Sequence, residues 1–327
     1  MNDREAHQGA QGRAALLDAP MPAAPAPPTA YSVPNVSEGR DPETIAALVD
    51  ACRRPRVHVL DVHSDPDHHR TVISLAGEPL ALQEALVSLA GECIDRIDLR
   101  RHRGAHPRTG ALDVAPIVAI DDDDIPFASE IARGLAGRLA ADLNLPVFLY
   151  GAVATHDYTR PRDFRRGGLE ELTRAVSEGE IVPDAGPPRM HPSAGAVLVG
   201  VRPPLIALNV WLPEGTVTEA RTIAARVREA GGGPPGVRAL GLYLPEAGMA
   251  QVSMNIEDRK AAPPAVVIAL VRAEAERLGI EAGDAELVGL IPGDALRGGP
   301  SPAALGLAGF RPGQLLELHA RTTRLAA

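Results

Sequence analysis

Residues 183–195, PDAGPPRMHPSAG, constrain the fold of this chain more than any other stretch. Prolines at 183, 187, 188 and 192 fix φ and withhold backbone N–H donors, and Gly186 and Gly195 loosen what remains, so neither helix nor strand can cross the segment. Regular patterning stops before it and restarts after it. Upstream, YSVPNVS, RVHVLDVHSD, HRTVISLAG, ALDVAPIVAI and LPVFLYG read as strands. Between them DPETIAALVDACRR, PLALQEALVSLAGECIDRID and PFASEIARGLAGRLAADLN carry helical spacing, giving the order βαββαβαβ. Asp41 is placed to cap the first helix, with Pro42 at its first position and Glu43 in its first turn. A polar stretch from Thr155 to Glu180 contains one further helix. Downstream, AVLVGVR, LIALNVWL, VRALGLYL, MAQVSMNIE and AELVGLI alternate with two helical segments in the order ββαββαβ, the split βαβ pattern of a ferredoxin-like unit.

The expected fold class is therefore α+β, an α/β sandwich of two ferredoxin-like subdomains with a ligand cleft between them. The expected boundaries are a disordered Ala/Pro/Gly-rich tail over 1–30, an N-terminal subdomain over 31–182, a C-terminal subdomain over 183–297 and an extension over 298–327, with a final strand at QLLELHART.

Composition narrows the function. A formal charge of −9 argues against nucleic-acid or anionic-membrane partners. No apolar run reaches the roughly 18 residues that span a bilayer. The first twenty residues lack a charged-then-apolar export layout, so a soluble cytoplasmic protein is expected. Cys52 and Cys93 are the only cysteines, too few for a disulfide framework or a thiolate zinc site. Lys260 is the only lysine, so GGGPPG is a connection rather than a phosphate loop, and Schiff-base chemistry has one residue to rest on. The DDDD run at 121–124 reads as a solvated turn at a helix N-terminus.

Chemistry concentrates in three places. Six of the 10 histidines fall between His58 and His106. HSDPDHH sets His63, Asp65, Asp67 and His68 at a strand end, where imidazole and carboxylate could share a metal in a hydrolase, or bond locally as a polar turn. In GAHPRTGALD, Pro107 holds His106 extended between Gly104 and Gly110, and an imidazole fixed in this way can take and return a proton near neutral pH; the plain alternative is a surface loop. GPPRMHPSAG can press backbone amides on a flat ligand or serve only as a linker. YSVPNVSEGR adds Asn35, Ser37, Glu38 and Arg40 just past a strand.

Taken in order, VPNVSEGR (33–40), LDV and HRTV (within 60–72), HPRTGALDVAPIV (106–118), LPVFLYG (145–151), GPPRMHPSAG (186–195) and AQVSMNIED (250–258) resemble the formiminotransferase domain of glutamate formimidoyltransferases. The resemblance runs from about Tyr31 to Leu296. It implies two subdomains whose sheets face each other across a ligand tunnel, in a cytoplasmic homodimeric transferase of histidine degradation and one-carbon metabolism. The enzyme would move a formimidoyl group from N-formimidoyl-L-glutamate to N5 of tetrahydrofolate, a co-substrate, with no metal expected. It further implies His106 as the catalytic residue and a folate-contacting loop comprising Gly186, Pro187, Pro188, Arg189, Met190, His191, Pro192, Ser193, Ala194 and Gly195, with Gly236 beyond it. Asn35 joins the binding residues, and Arg40, Arg70 and Arg108 are candidates for carboxylate forks.

The chain departs from the family pattern at three positions. His63 stands where the family has an acidic residue assisting the histidine, leaving Asp65 as the nearest carboxylate to share that role with His63. Ala105 replaces a common Glu and Ala194 a common Trp. These departures leave open a formyl donor, a cyclo-ligase-like activity on 5-formyltetrahydrofolate, a non-catalytic folate-binding relative, and the metal-dependent hydrolase.

Overall fold

A computed structural model of the chain describes residues 30–316. Its first sheet has seven strands. β1 (Ala30–Ser32) and β2 (Asn35–Val36) form one interrupted strand, each pairing antiparallel with both β4 (Arg70–Gly77) and β5 (Leu112–Val118). Pro34, which has no N–H to donate, sits at the interruption. β3 (Val57–Asp65) pairs with β4 and forms one edge. α1 (Pro42–Ala51) is capped by the Asp41 side chain, which accepts the Glu43 N–H. α2 (Pro79–Arg96) and α3 (Ile125–Leu143) bury Leu82, Leu86, Leu89, Ile131, Leu135 and Leu139 against one face of the sheet. β6 (Val147–Gly151) follows α3. The polar stretch after it holds two helices rather than one, α4 (Pro161–Phe164) and α5 (Gly168–Ser177); Gly167 before α5 and Gly168 at its start both lie at positive φ.

The second sheet has five strands in the order β12-β11-β8-β10-β9. These are β8 (Ile206–Leu212), β9 (Val237–Leu244), β10 (Met249–Ile256), β11 (Ala285–Val288) and β12 (Leu307–Ala308). α6 (Val217–Val227) and α7 (Pro264–Arg277) cover one of its faces through Ile223, Val227, Val267, Ile268 and Val271. The architecture is α+β with two subdomains.

β7 (Val197–Arg202) departs from the sequence reading. The pattern makes it the opening strand of the second half, beyond a boundary at 183, but it lies in the first sheet, parallel to and between β5 and β6. Its sequence explains the position. Val197, Val199 and Val201 enter the core beneath α2 and α3, while Leu198 enters the cluster with Phe148, Phe164 and Leu172 on the opposite face. A strand apolar on both faces belongs in the middle of a parallel region, not at an edge. The passage between sheets therefore falls at Pro203–Pro204. In the C-terminal extension, Leu307–Ala308 adds a short parallel strand to β11. Gln314 lies in a 3-10 turn, and Leu315 makes only an isolated bridge to Ile291, so the described start of QLLELHART is not a strand. The rest of that segment, and the tail expectation for 1–29, lie outside the described residues. Among the described residues no helix is long and apolar enough to cross a membrane.

Candidate functional site

Strand alternation builds the site. On β4, Thr71, Ile73 and Leu75 are buried, while Arg70, Val72 and Ser74 point to the other face; on β5, Val114, Pro116 and Val118 do the same. Ala207 and Asn209 of β8, with Ser253 and Asn255 of β10, approach from the second sheet. Together they enclose a cavity of about 680 Å³.

His106 lines this cavity from the loop before β5 and is half-buried. The loop is held from several sides. Its Ala105 N–H donates to the Asp67 carbonyl at 3.0 Å. Arg108 donates to the carbonyls of Gly104 at 2.7 Å and His106 at 2.6 Å, and to His102 Nδ1. Gly104 lies so close to the turn after β3 that a Cβ there would sit 2.5 Å from the His68 carbonyl oxygen. His106 Nδ1 contacts the Pro107 carbonyl oxygen at 2.7 Å. A carbonyl only accepts, so Nδ1 carries the proton and Nε2 keeps the lone pair of the neutral ring. Burial, followed by the charges of Arg70 and Arg165, pushes the His106 pKa well below its usual value, so the ring is neutral at pH 7.

Beside it lies a buried ionic group. Asp113 Oδ2 accepts from Arg70 at 2.6 Å and Arg165 at 2.5 Å. Oδ1 accepts the Thr109 N–H at 2.6 Å and the Thr109 hydroxyl at 2.8 Å. Burial alone would raise the Asp113 pKa, but Arg165 and Arg70 hold it well below the ordinary carboxylate range. Arg70 Nε donates to Asn35 Oδ1 at 2.9 Å. A second histidine, His68, faces His106 with ring centroids 6.1 Å apart. Its Nε2 donates to Gln251 Oε1 at 2.9 Å, linking the turn after β3 to β10.

The structure brings His106, Asn35 and Arg70 to the cavity wall. His68 lines it as well, and the remaining sequence candidates lie elsewhere. His63 Nε2 lies 3.5 Å from Glu286 of β11, and Asp65 accepts the His68 N–H at 2.7 Å within the turn. Arg40 donates to the Pro66 carbonyl and pairs with Glu246 at 3.5 Å near the surface. Arg108 is occupied in clasping the His106 loop.

Among the described residues that line the cavity, none belongs to 186–195. Gly186, at φ 87°, packs on the Leu145 carbonyl. Pro187 is half-buried, and Pro188, Arg189 and Pro192 are exposed. Met190 packs against the cluster around Phe148. His191 Nδ1 accepts the Ala194 N–H at 3.0 Å. The carbonyls of Ser193 and Ala194 accept from Leu99 and Ala111, and Gly195 bridges Gly110, so this hairpin buttresses the strand that follows the His106 loop. Gly236, at φ 76°, packs against Asp258 at the entry to β9.

The metal-hydrolase alternative does not survive this geometry. Asp65 is tied to its own turn, His68 to Gln251, His63 to Glu286, and Asp67 accepts the N–H groups of Glu246 and Ala247. These four side chains do not converge, and among the described residues no three His, Cys, Asp or Glu side chains do so.

Sequence reasoning missed Asp113, Arg165 and Gln251. Asp113 reads as one polar letter in a strand, Arg165 as one of many arginines in a polar stretch, and Gln251 as part of a strand in the other half. A charged residue inside an otherwise apolar strand was the one available signal, since an acid there needs a buried partner.

Family models match the chain in two pieces: the formiminotransferase domain, N-terminal subdomain, over residues 29–202, and the formiminotransferase domain over residues 207–299. The chain is 36% identical to a glutamate formimidoyltransferase of Streptococcus pyogenes serotype M1 over 266 residues, 81% of this chain and 89% of that protein. It is 35% identical to a glutamate formimidoyltransferase of Thermoplasma acidophilum over 292 residues, 87% of this chain and 95% of that protein. It is 38% identical to a formimidoyltransferase-cyclodeaminase of Rattus norvegicus over 273 residues, 81% of this chain and 50% of that protein, so it spans about half the length of that relative. The first match ends on the last residue of β7, where the first sheet closes, and the second begins inside β8, where the other sheet opens; with both sheets accounted for in order, the chain belongs to the formiminotransferase domain family.

Proposed function

We propose that this chain transfers a formimidoyl group from N-formimidoyl-L-glutamate to N5 of tetrahydrofolate and releases L-glutamate, with His106 as general base and then general acid. The observation that carries the reading is His106 itself: a neutral imidazole with Nδ1 anchored on Pro107, on the wall of a cavity between two sheets. The names of the relatives supply the donor chemistry. The cavity suits the substrates in size, since small-molecule sites run to about 300–1,000 Å³. Its lining suits them in chemistry, since Val72, Val114 and Pro116 offer an apolar wall while Arg70, Arg165 and Arg202 offer cationic groups for carboxylates.

In the transfer, the acceptor nitrogen adds to the amidine carbon and gives up a proton, and the glutamate nitrogen gains one as it leaves. His106 Nε2 takes the first proton. The imidazolium formed then sits beside Arg70 and Arg165, whose charges disfavour it, so the proton passes readily to the leaving nitrogen. General acid–base help of this kind is worth about 10²–10⁴-fold. Holding both substrates in one cavity supplies much of the remainder. The hairpin at 186–195 and Gly236 act on this reading as outer supports of the folate site. Asp65 and His63 act through the turn that seats the His106 loop. A cytoplasmic homodimer working in histidine degradation completes the proposal and rests on the family resemblance.

The test is a spectrophotometric assay of purified protein with tetrahydrofolate and N-formimidoyl-L-glutamate, run beside N-formyl-L-glutamate. Transfer from the formimidoyl donor, with His106→Asn lowering kcat about 10²–10⁴-fold while folate still binds, is the expected result. A variant that turns over like the parent removes His106 from the chemistry. Transfer only from the formyl donor replaces the substrate assignment.

A further inference from the structure

The ionic group beside His106 is one negative charge short. Asp113 is fully buried, and both its oxygens are already occupied: Oδ1 by two donors from Thr109, Oδ2 by Arg70 and Arg165. One carboxylate therefore serves two guanidinium groups. Arg70 is held further by Asn35. Arg165 is not: beyond its bond to Asp113, its Nε is buried with no hydrogen-bond partner among the described residues, and only 13% of the side chain is exposed. A buried donor left unmade costs free energy, and so does a buried charge without its counter-charge. Both arginines line the cavity, and both act on His106. A carboxylate entering the cavity would meet the part of the Arg165 side chain that lines it and restore charge balance, with the planar geometry that guanidinium groups present to carboxylates.

We propose that Arg165, backed by Arg70, is the specificity-determining residue for the α-carboxylate of the donor's glutamate. The assignment to the α-carboxylate follows from position. Arg70 and Arg165 share Asp113 on the wall of the cavity that His106 also lines, and the α-carboxylate is the donor's charge nearest the nitrogen that His106 must protonate. The inference rests on the transfer reading for the identity of the donor. Asp113 sets the angle of Arg165 and is a positioning residue.

Three measurements test it. Calorimetric titration of the wild-type protein with L-glutamate is compared with Arg165→Gln and Arg165→Lys. The affinity is expected to fall about 10- to 100-fold in Arg165→Gln, as for loss of a charged hydrogen bond, and to be partly kept in Arg165→Lys. In steady state, Arg165→Gln raises KM for N-formimidoyl-L-glutamate by a similar factor and leaves KM for tetrahydrofolate unchanged. Independently of any variant, the wild-type enzyme is offered N-formimidoyl-4-aminobutyrate, which lacks only the α-carboxylate, and its KM is expected to rise about as far. Equal use of the two donors by the wild-type protein overturns the proposal, as does L-glutamate binding indifferent to Arg165→Gln. Should the wild-type protein bind L-glutamate through Arg165 but transfer no group, the carboxylate subsite stands and the transfer reading falls.

Discussion

Asp67 and Glu246 join the two sheets: Asp67 Oδ1, in the turn after β3, accepts the backbone N–H of Glu246 at 2.7 Å, in the turn between β9 and β10. Its other oxygen accepts the Ala247 N–H at 3.2 Å, and its carbonyl takes the Ala105 N–H from the loop that carries His106. One residue thus ties the loop bearing the imidazole to the sheet across the cavity. Replacing Asp67 by Ala is expected to cost about 1 kcal/mol of stability, because water reaches the freed N–H of exposed Glu246. The effect on kcat/KM should be larger, about tenfold or more, because positioning errors of an ångström are costly in a two-substrate site. Urea unfolding and steady-state kinetics on the same variant separate the two.

His102 makes the protein's stability depend on acid pH. Its ring stacks on His69 with centroids 4.0 Å apart, Nε2 donates to the His69 carbonyl at 3.1 Å, and Nδ1 accepts from Arg108. Burial first, and the Arg108 charge second, bring its pKa down to about 3. An unfolded histidine titrates near about 6.5. Between those values the unfolded chain binds a proton that the folded chain refuses, so stability falls as pH drops. Above about 6.5 this histidine contributes no slope. Burial lowers His69 and His106 in the same direction. Thermal unfolding from pH 7.5 to pH 4 should show a falling melting temperature, with a shallower slope in His102→Gln but not a flat one. An unchanged slope in that variant would remove His102 from the account.

Gly104 sets how closely the His106 loop seats. A Cβ there would lie 2.5 Å from the His68 carbonyl oxygen and 2.7 Å from His69 Cβ, and neither belongs to a flexible side-chain end. Gly104→Ala must therefore lift the loop from the turn beneath it, at about 1–3 kcal/mol for overpacking. The displaced imidazole should cost more in kcat than the variant loses in stability. Comparing kcat with the melting temperature of Gly104→Ala checks this, and a fully active variant would show that the loop reseats.

Much of the fold was legible in local pattern. The period-2 runs and helical spacings of the first half correspond to β3, β4, α2, β5, α3 and β6, and the Asp41–Pro42 signal marks the start of α1. The HPR stretch singled out His106 because proline and glycine restrict a loop through short-range sterics. The place of β7 was not legible, because a run such as AVLVGVR says that both faces are buried and nothing about which sheet buries them.

The amino-acid sequence by itself determined which segments become strands and helices, which faces of them are apolar, and that a proline-pinned histidine precedes β5. These are local matters, decided by backbone sterics and by side-chain alternation within a few residues. Tertiary structure alone decided that β7 inserts between β5 and β6, that His68 meets Gln251 183 positions away, and that Arg165 shares Asp113 with Arg70. Those pairings arise from burial and charge balance among groups far apart in the chain, and no local pattern records which distant charge a buried carboxylate will find.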